Sequence, residues 1–120
     1  MAELNDLLGK TMTSVENVND EELVFTTTDG KRYKLHHYQD CCESVTIESI
    51  VGDLADLVGE PLLVAEESTS EKNPEGVTKE YQDSFTWTFY KFATRKGYVD
   101  VRWYGESNGY YSESVDFAEA

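Results

Sequence analysis

Alternation of apolar and polar side chains dominates this chain. Phe85, Trp87 and Phe89 alternate with Thr86 and Thr88, and Val99, Val101 and Trp103 alternate with Asp100 and Arg102. A period of two buries one face of a strand and leaves the other polar. The two segments, with Arg95-Lys96-Gly97 as a turn, predict strands whose apolar faces carry those aromatic and valine residues. Residues 21–28 are rich in Val, Phe and Thr, and residues 31–38 resume the alternation after Asp29-Gly30. Asp-Gly fits the two-residue hairpin turn with positive φ at both positions. In that register Val24 faces Leu35 and Thr26 faces Tyr33, leaving Leu23 and Phe25 on the opposite face beside His36 and Lys34. Residues 10–18, then Val45, Ile47 and Ile50, then residues 62–65 predict further strands.

Helical spacing is scarce. Leu4, Leu7 and Leu8 predict a short helix or turn ending at Gly9. Asp53 is placed to cap a helix with Leu54, Leu57 and Val58 as its apolar stripe, ended by Gly59 and Pro61. For the last hairpin, a three-residue loop from Asn108 to Tyr110 pairs Trp103 with Val115 and Val101 with Phe117. A two-residue loop would bury the wrong residues. The longer loop also brings Glu113 opposite Gly105, where a carboxylate needs a partner or solvent. The expectation is an α+β fold, a β-rich single domain with a mainly antiparallel sheet of about seven strands and one or two short helices. One domain spans residues 1–120, because the chain is too short for two cores, and the low-hydrophobicity stretch 66–80 reads as an exposed loop within it.

Composition sharpens this picture. Eight Tyr, five Phe and two Trp mark an ordered chain in spite of its charge. The N-terminus lacks the basic and apolar regions of a secretion signal, and no apolar run reaches the ~18 residues of a bilayer span. Cys41 and Cys42 are adjacent, a poor geometry for a disulfide with each other, and read as free thiols in a reducing compartment. A cytoplasmic protein is expected, with no membrane partner.

Charge changes the functional picture most. The formal net charge is −14, and the thirty-seven residues 35–71 hold nine carboxylates and no Lys or Arg. Asp40, Glu43, Glu48, Asp53, Asp56, Glu60, Glu66, Glu67 and Glu71 form that field. It repels phosphate backbones and attracts basic surfaces, so it argues against direct nucleic-acid binding and for a positively charged protein partner. Residues 72–102 hold six basic and four acidic residues, so the acidity is directional. The plain alternative is an acidic surface that serves solubility.

Two clusters could carry chemistry. The run His36-His37-Tyr38-Gln39-Asp40-Cys41-Cys42-Glu43 gathers metal-ligating types, yet it lacks zinc spacing and a second ligand pair. Its carboxylates would raise a thiol pKa, the wrong direction for a nucleophile. The run 103–114 sets Tyr104, Tyr110 and Tyr111 beside Asn108 and Glu113, as adaptable binding surfaces do. With His36, His37 and Arg102 these residues form an alternative pocket for a ring or a nucleotide. No catalytic signature, phosphate-binding glycine loop or cofactor motif is present, so no enzyme, metal or cofactor is expected.

Leu-Leu-Gly-Lys-Thr at 7–11, His-Tyr-Gln-Asp-Cys-Cys-Glu-Ser-Val at 37–45, Ser-Phe-Thr-Trp-Thr-Phe-Tyr-Lys at 84–91 and Trp-Tyr-Gly-Glu-Ser-Asn-Gly-Tyr-Tyr-Ser-Glu-Ser-Val at 103–115 resemble a family of small uncharacterised bacteriophage and prophage proteins. The resemblance implies a setting inside a bacterial host, and assigns no site. In that setting the sequence reads as a non-enzymatic inhibitor that imitates nucleic-acid charge. Its acidic face would block a basic, nucleic-acid-handling host protein or defence complex. The alternative reading is a protein that binds or sequesters a nucleotide signal.

Overall fold

The computed structural model describes residues 3–38, 43–71, 84–107 and 112–120. Among these residues there are eight strands: β1 Met12–Val18, β2 Glu22–Thr27, β3 Arg32–His36, β4 Ser44–Val51, β5 Val64–Ser70, β6 Ser84–Thr94, β7 Gly97–Ser107 and β8 Asp116–Glu119. They form two antiparallel four-stranded sheets, ordered β1-β2-β3-β8 and β4-β7-β6-β5. The sheets face each other across one apolar core, where Phe25 of the first meets Phe92 of the second edge-on at 5.2 Å. Leu23, Leu35, Val99 and Trp103 fill that core without solvent exposure.

The only helical elements among the described residues are two four-residue 3₁₀ turns, Leu4–Leu7 and Leu54–Leu57. The expected α+β class is thereby corrected to a mostly β domain. Asp53 does cap the second turn, accepting from the Ala55 amide at 2.9 Å. The turn stops because Gly59, at φ +89°, bends the chain towards β1, where its amide donates to Met12 O. No helix among the described residues is long and apolar enough to cross a membrane.

Three register expectations change. The β2–β3 loop is one residue longer than the Asp-Gly turn, since the Thr27 amide donates to Lys31 O at 2.8 Å and Gly30 takes φ +87°. That single residue pairs Leu23 with Leu35 and Phe25 with Tyr33, so all four share the core face. On β6, the two-residue Arg95-Lys96 loop sets Phe92 opposite Val99 and Tyr90 opposite Val101. Trp87 and Phe89 therefore turn outward, while Thr86 and Thr88 face the other sheet. Finally, β4 and β6 occupy both edges of β7, leaving no place for β8. Strand β8 instead pairs with β3, where Phe117 lies opposite Leu35 and stacks on Tyr33 at 5.6 Å.

The exposed loop expected at 66–80 is also corrected. Residues 66–70 belong to β5, an edge strand hydrogen-bonded to β6, and 72–80 lie outside the described residues.

Candidate functional site

The inner face of the second sheet changes character along its length. Near the β6–β7 turn it is apolar, with Phe92, Tyr90, Val99 and Val101. Towards the start of β6 the inward positions are Thr88, Thr86 and Ser84, joined by Thr69 and Glu67 of β5 and by Ser107 of β7. Hydroxyls thus replace methyl groups where the sandwich opens, and a cavity of about 260 Å³ lies there.

Glu113 enters this polar end from the segment before β8. Its Oε1 accepts from Thr86 Oγ1 at 2.9 Å, and its Oε2 accepts from Ser107 Oγ at 2.5 Å. Two further devices hold the segment. A Cβ on Gly105 would stand 2.7 Å from Glu113 O and 3.1 Å from Val45 Cγ2, so the approach requires the absence of a side chain there. The second device is His37, whose Nδ1 donates to Ser114 O at 2.7 Å while Nε2 meets Glu43 Oε2 at 3.1 Å. A carbonyl can only accept, so Nδ1 carries a proton. Both side chains are nearly sealed, at 4% and 0% exposure, and a buried pair of this kind holds only while both partners are present.

Glu67 completes the wall. Its Oε2 accepts from Tyr90 Oη at 2.6 Å. Burial first, and this hydrogen bond second, push the Tyr90 hydroxyl well above its usual range, so it stays a donor.

The outer face of the same sheet carries a second concavity, of about 420 Å³. Phe89 and Arg102 lie opposite each other, next to the row of Val51, Asp100, Lys91 and Glu66. Arg102 sits 5.1 Å over the Trp87 ring and donates from Nε to Glu48 Oε2 at 2.6 Å. Tyr104 packs on Trp87 at 4.6 Å. Trp87, although outward-facing, is fully buried.

The residues of the predicted acidic face are therefore dispersed. Glu43 is buried against His37 and is unavailable to a docking partner, a correction to its expected exposure. Glu48, at a bulge in β4, is paired with Arg102. Asp53 is a cap, and Asp56 and Glu60 are half-buried near the turn. Glu66 and Glu67 point to opposite faces of β5, with exposed Glu71 just beyond them. Asp40 lies outside the described residues.

The alternative pocket divides as well. Arg102 and Tyr104 are on the outer face of the second sheet, whereas His37 and Glu113 gather at its inner, polar end. His36 is on the outer face of the first sheet, edge-on to Tyr38 at 4.5 Å. Asn108, Tyr110 and Tyr111 lie outside the described residues. Thr86 and Thr88 were missed, although the Thr-x-Thr alternation of β6 marked them, and so was Ser107 at the end of β7. Among the described residues no three of His, Cys, Asp and Glu come together as a metal site would require.

No curated protein and no solved structure matches the chain. Residues 5–117 match the family model described as a domain of unknown function, DUF7448, and the chain belongs to that family.

Proposed function

We propose that the protein is a non-enzymatic binding domain that docks a basic partner protein through its surface carboxylates. The supporting observation is how few of those carboxylates are neutralised. Among the described residues, Lys and Arg form two ion pairs with carboxylates, Glu22–Lys34 and Glu48–Arg102, while 20 Asp and Glu are described. The exposed edge strand β5 adds Glu66 and Glu67, followed by Glu71. Such a surface raises association rates with a basic partner and selects against anionic ones. A nucleic-acid-handling protein of a bacterial host, or a defence complex, has the required basic groove. An inhibitor from a phage or prophage would exploit it.

The nucleotide alternative is less well supported. Arg102, expected with the histidines to offer a cation to an anionic ligand, is already engaged by Glu48 and the Trp87 ring.

The test is capture from bacterial lysate by the immobilised chain at low and high salt, with the double variant Glu66→Lys, Glu71→Lys in parallel. A protein of net positive charge should be retained at low salt, released at high salt, and weakened by the double variant. Retention indifferent to both salt and charge reversal would defeat the reading.

A further inference from the structure

We infer that β5 is a docking edge that takes an extended, basic segment of a partner protein as a fifth strand of the second sheet. The inference rests on the basic-partner reading above and gives it a place and a backbone geometry. Among the described residues four strands stand at sheet edges, and three of them are blunted. Strands β1 and β4 each carry a register shift, at Met12–Ser14 and Ile47–Ser49, and β8 is four residues long. Strand β5 is the exception, since its seven residues pair with β6 in unbroken register from Val64–Ala93 to Ser70–Trp87. No described strand lies on its other side, and Glu66, Glu67, Ser68 and Thr69 are exposed. Every second residue of such a strand turns its N–H and C=O outward, where an incoming chain can pair with them.

Charge decides which chain is accepted. Glu66 and Glu67 project to opposite faces at the middle of β5, and exposed Glu71 follows the strand. A second copy, pairing antiparallel about a two-fold axis at the centre of β5, would set Glu67 against Glu67. Like charges directly opposite are destabilising, so the edge is protected against its own copy. An anionic segment meets the same repulsion from a chain of net charge −14. Two consecutive Lys or Arg, by contrast, place one cation beside Glu66 on the outer face and the next beside Glu67 on the inner face.

The outer face adds a side-chain pocket. The concavity of about 420 Å³ reaches β5 at Glu66 and Ser68, and Ser68 pairs with half-buried Phe89. Serine is short, so a long apolar side chain of the added strand crosses it and rests on Phe89. In antiparallel order, which matches the rest of the sheet, the preferred segment reads apolar, basic, basic. Main-chain bonds then supply affinity, and these three side chains supply selectivity.

The experiment titrates the full chain with the peptide acetyl-Thr-Thr-Leu-Lys-Lys-Thr-Val amide, read by calorimetry and amide NMR. Comparison peptides carry Glu-Glu for Lys-Lys, or N-methyl groups on the even-numbered or on the odd-numbered residues from the second onward. The parent peptide should saturate, shift the amides of residues 65–69, and slow hydrogen exchange at alternate ones. One N-methylated form should bind more than about tenfold more weakly and the other should bind like the parent, because only one set of amides faces β5. Glu66→Gln and Glu67→Gln should each weaken binding about threefold. Glu16→Gln, at an exposed position of β1, should leave it unchanged. Absence of saturable binding, equal binding of the Glu-Glu peptide, an equal response to both N-methylation patterns, or shifts centred away from β5 overturns the inference. So does a dimer of the isolated chain with its β5 amides already protected, which would assign the edge to a second copy. Salt-sensitive capture of a basic protein that leaves the β5 amides unprotected defeats this inference alone. Peptide pairing at β5 with no basic protein captured defeats only the wider reading.

Discussion

Two consecutive side chains at the C-terminal end of β3 show how one residue type takes two roles. His37 lies between a carbonyl and a buried carboxylate and keeps hydrogen bonds on both nitrogens. His36, its neighbour, is 4% exposed, and its Nε2 has no partner among the described residues. Burial, then Lys34 and His37, lower its pKa, outweighing Asp116 and Glu22, which raise it. The fold thus favours neutral His36. Its contribution to stability is complete above the ordinary value of 6.5 and is lost as pH falls below that towards the depressed folded value. The melting temperature should drop between about pH 7.5 and 5.5, and the drop should shrink in His36→Phe. An equal drop in both proteins would mean that other groups dominate. Gly105 gives a second residue-scale outcome. In Gly105→Ala the new Cβ meets Glu113 O, so either the segment 112–115 shifts or the sheet strains. A loss of about 2 kcal/mol in denaturant unfolding is expected.

At the scale of elements, the strands were legible and their faces were not. Alternation located β6 and β7, but β6 changes parity between Phe89 and Tyr90 and so carries apolar residues on both faces. Only the length of the Arg95-Lys96 loop decides which set meets Val99 and Val101. Asp29-Gly30 correctly marked the β2–β3 reversal, while the two-residue turn put Leu23 and Phe25 on the wrong face. The deciding contacts are local: the Thr27 hydroxyl donates to Asp29, and Asp29 accepts from the Lys31 amide. Those two bonds, the hydroxyl first, hold the Asp29 carboxyl below its ordinary range. Gly30 supplies the one left-handed residue of the three-residue loop. Gly30→Ala finds open space around its Cβ but strained backbone, so it should cost about 1 kcal/mol with the register intact. Hydrogen exchange at Thr26 and Thr27 would report it, and a reversal of face exposure at Leu23 would contradict it. The candidate site was half legible. Glu113 was expected opposite Gly105 as a strand partner, whereas it packs on Gly105 from the segment before β8, which pairs with β3 and not with β7. Its partners Thr86 and Ser107 come from strands whose pairing only the completed sheet reveals.

At the scale of the whole molecule, charge acts on folding and binding with opposite signs. Ten Lys and Arg face 24 Asp and Glu, so the compact chain repels itself more than the expanded one does. Added salt screens that repulsion within about 10 Å at 0.1 M. It also screens attraction to a basic partner, over the same distances. The melting temperature of the isolated chain should therefore rise with sodium chloride across the range in which capture of a basic protein falls. Hofmeister effects would obscure this with sulfate, so chloride is the informative salt, and the rise should level off once the screening length is shorter than typical spacings between surface carboxylates. The double variant Glu66→Lys, Glu71→Lys separates the two consequences. It makes the net charge less negative, so its melting temperature should depend less on salt, while its capture of the partner weakens at every salt concentration. A melting temperature indifferent to salt in the wild-type chain would mean that its carboxylates are compensated locally. The surface would then have no long-range field with which to draw a basic partner in.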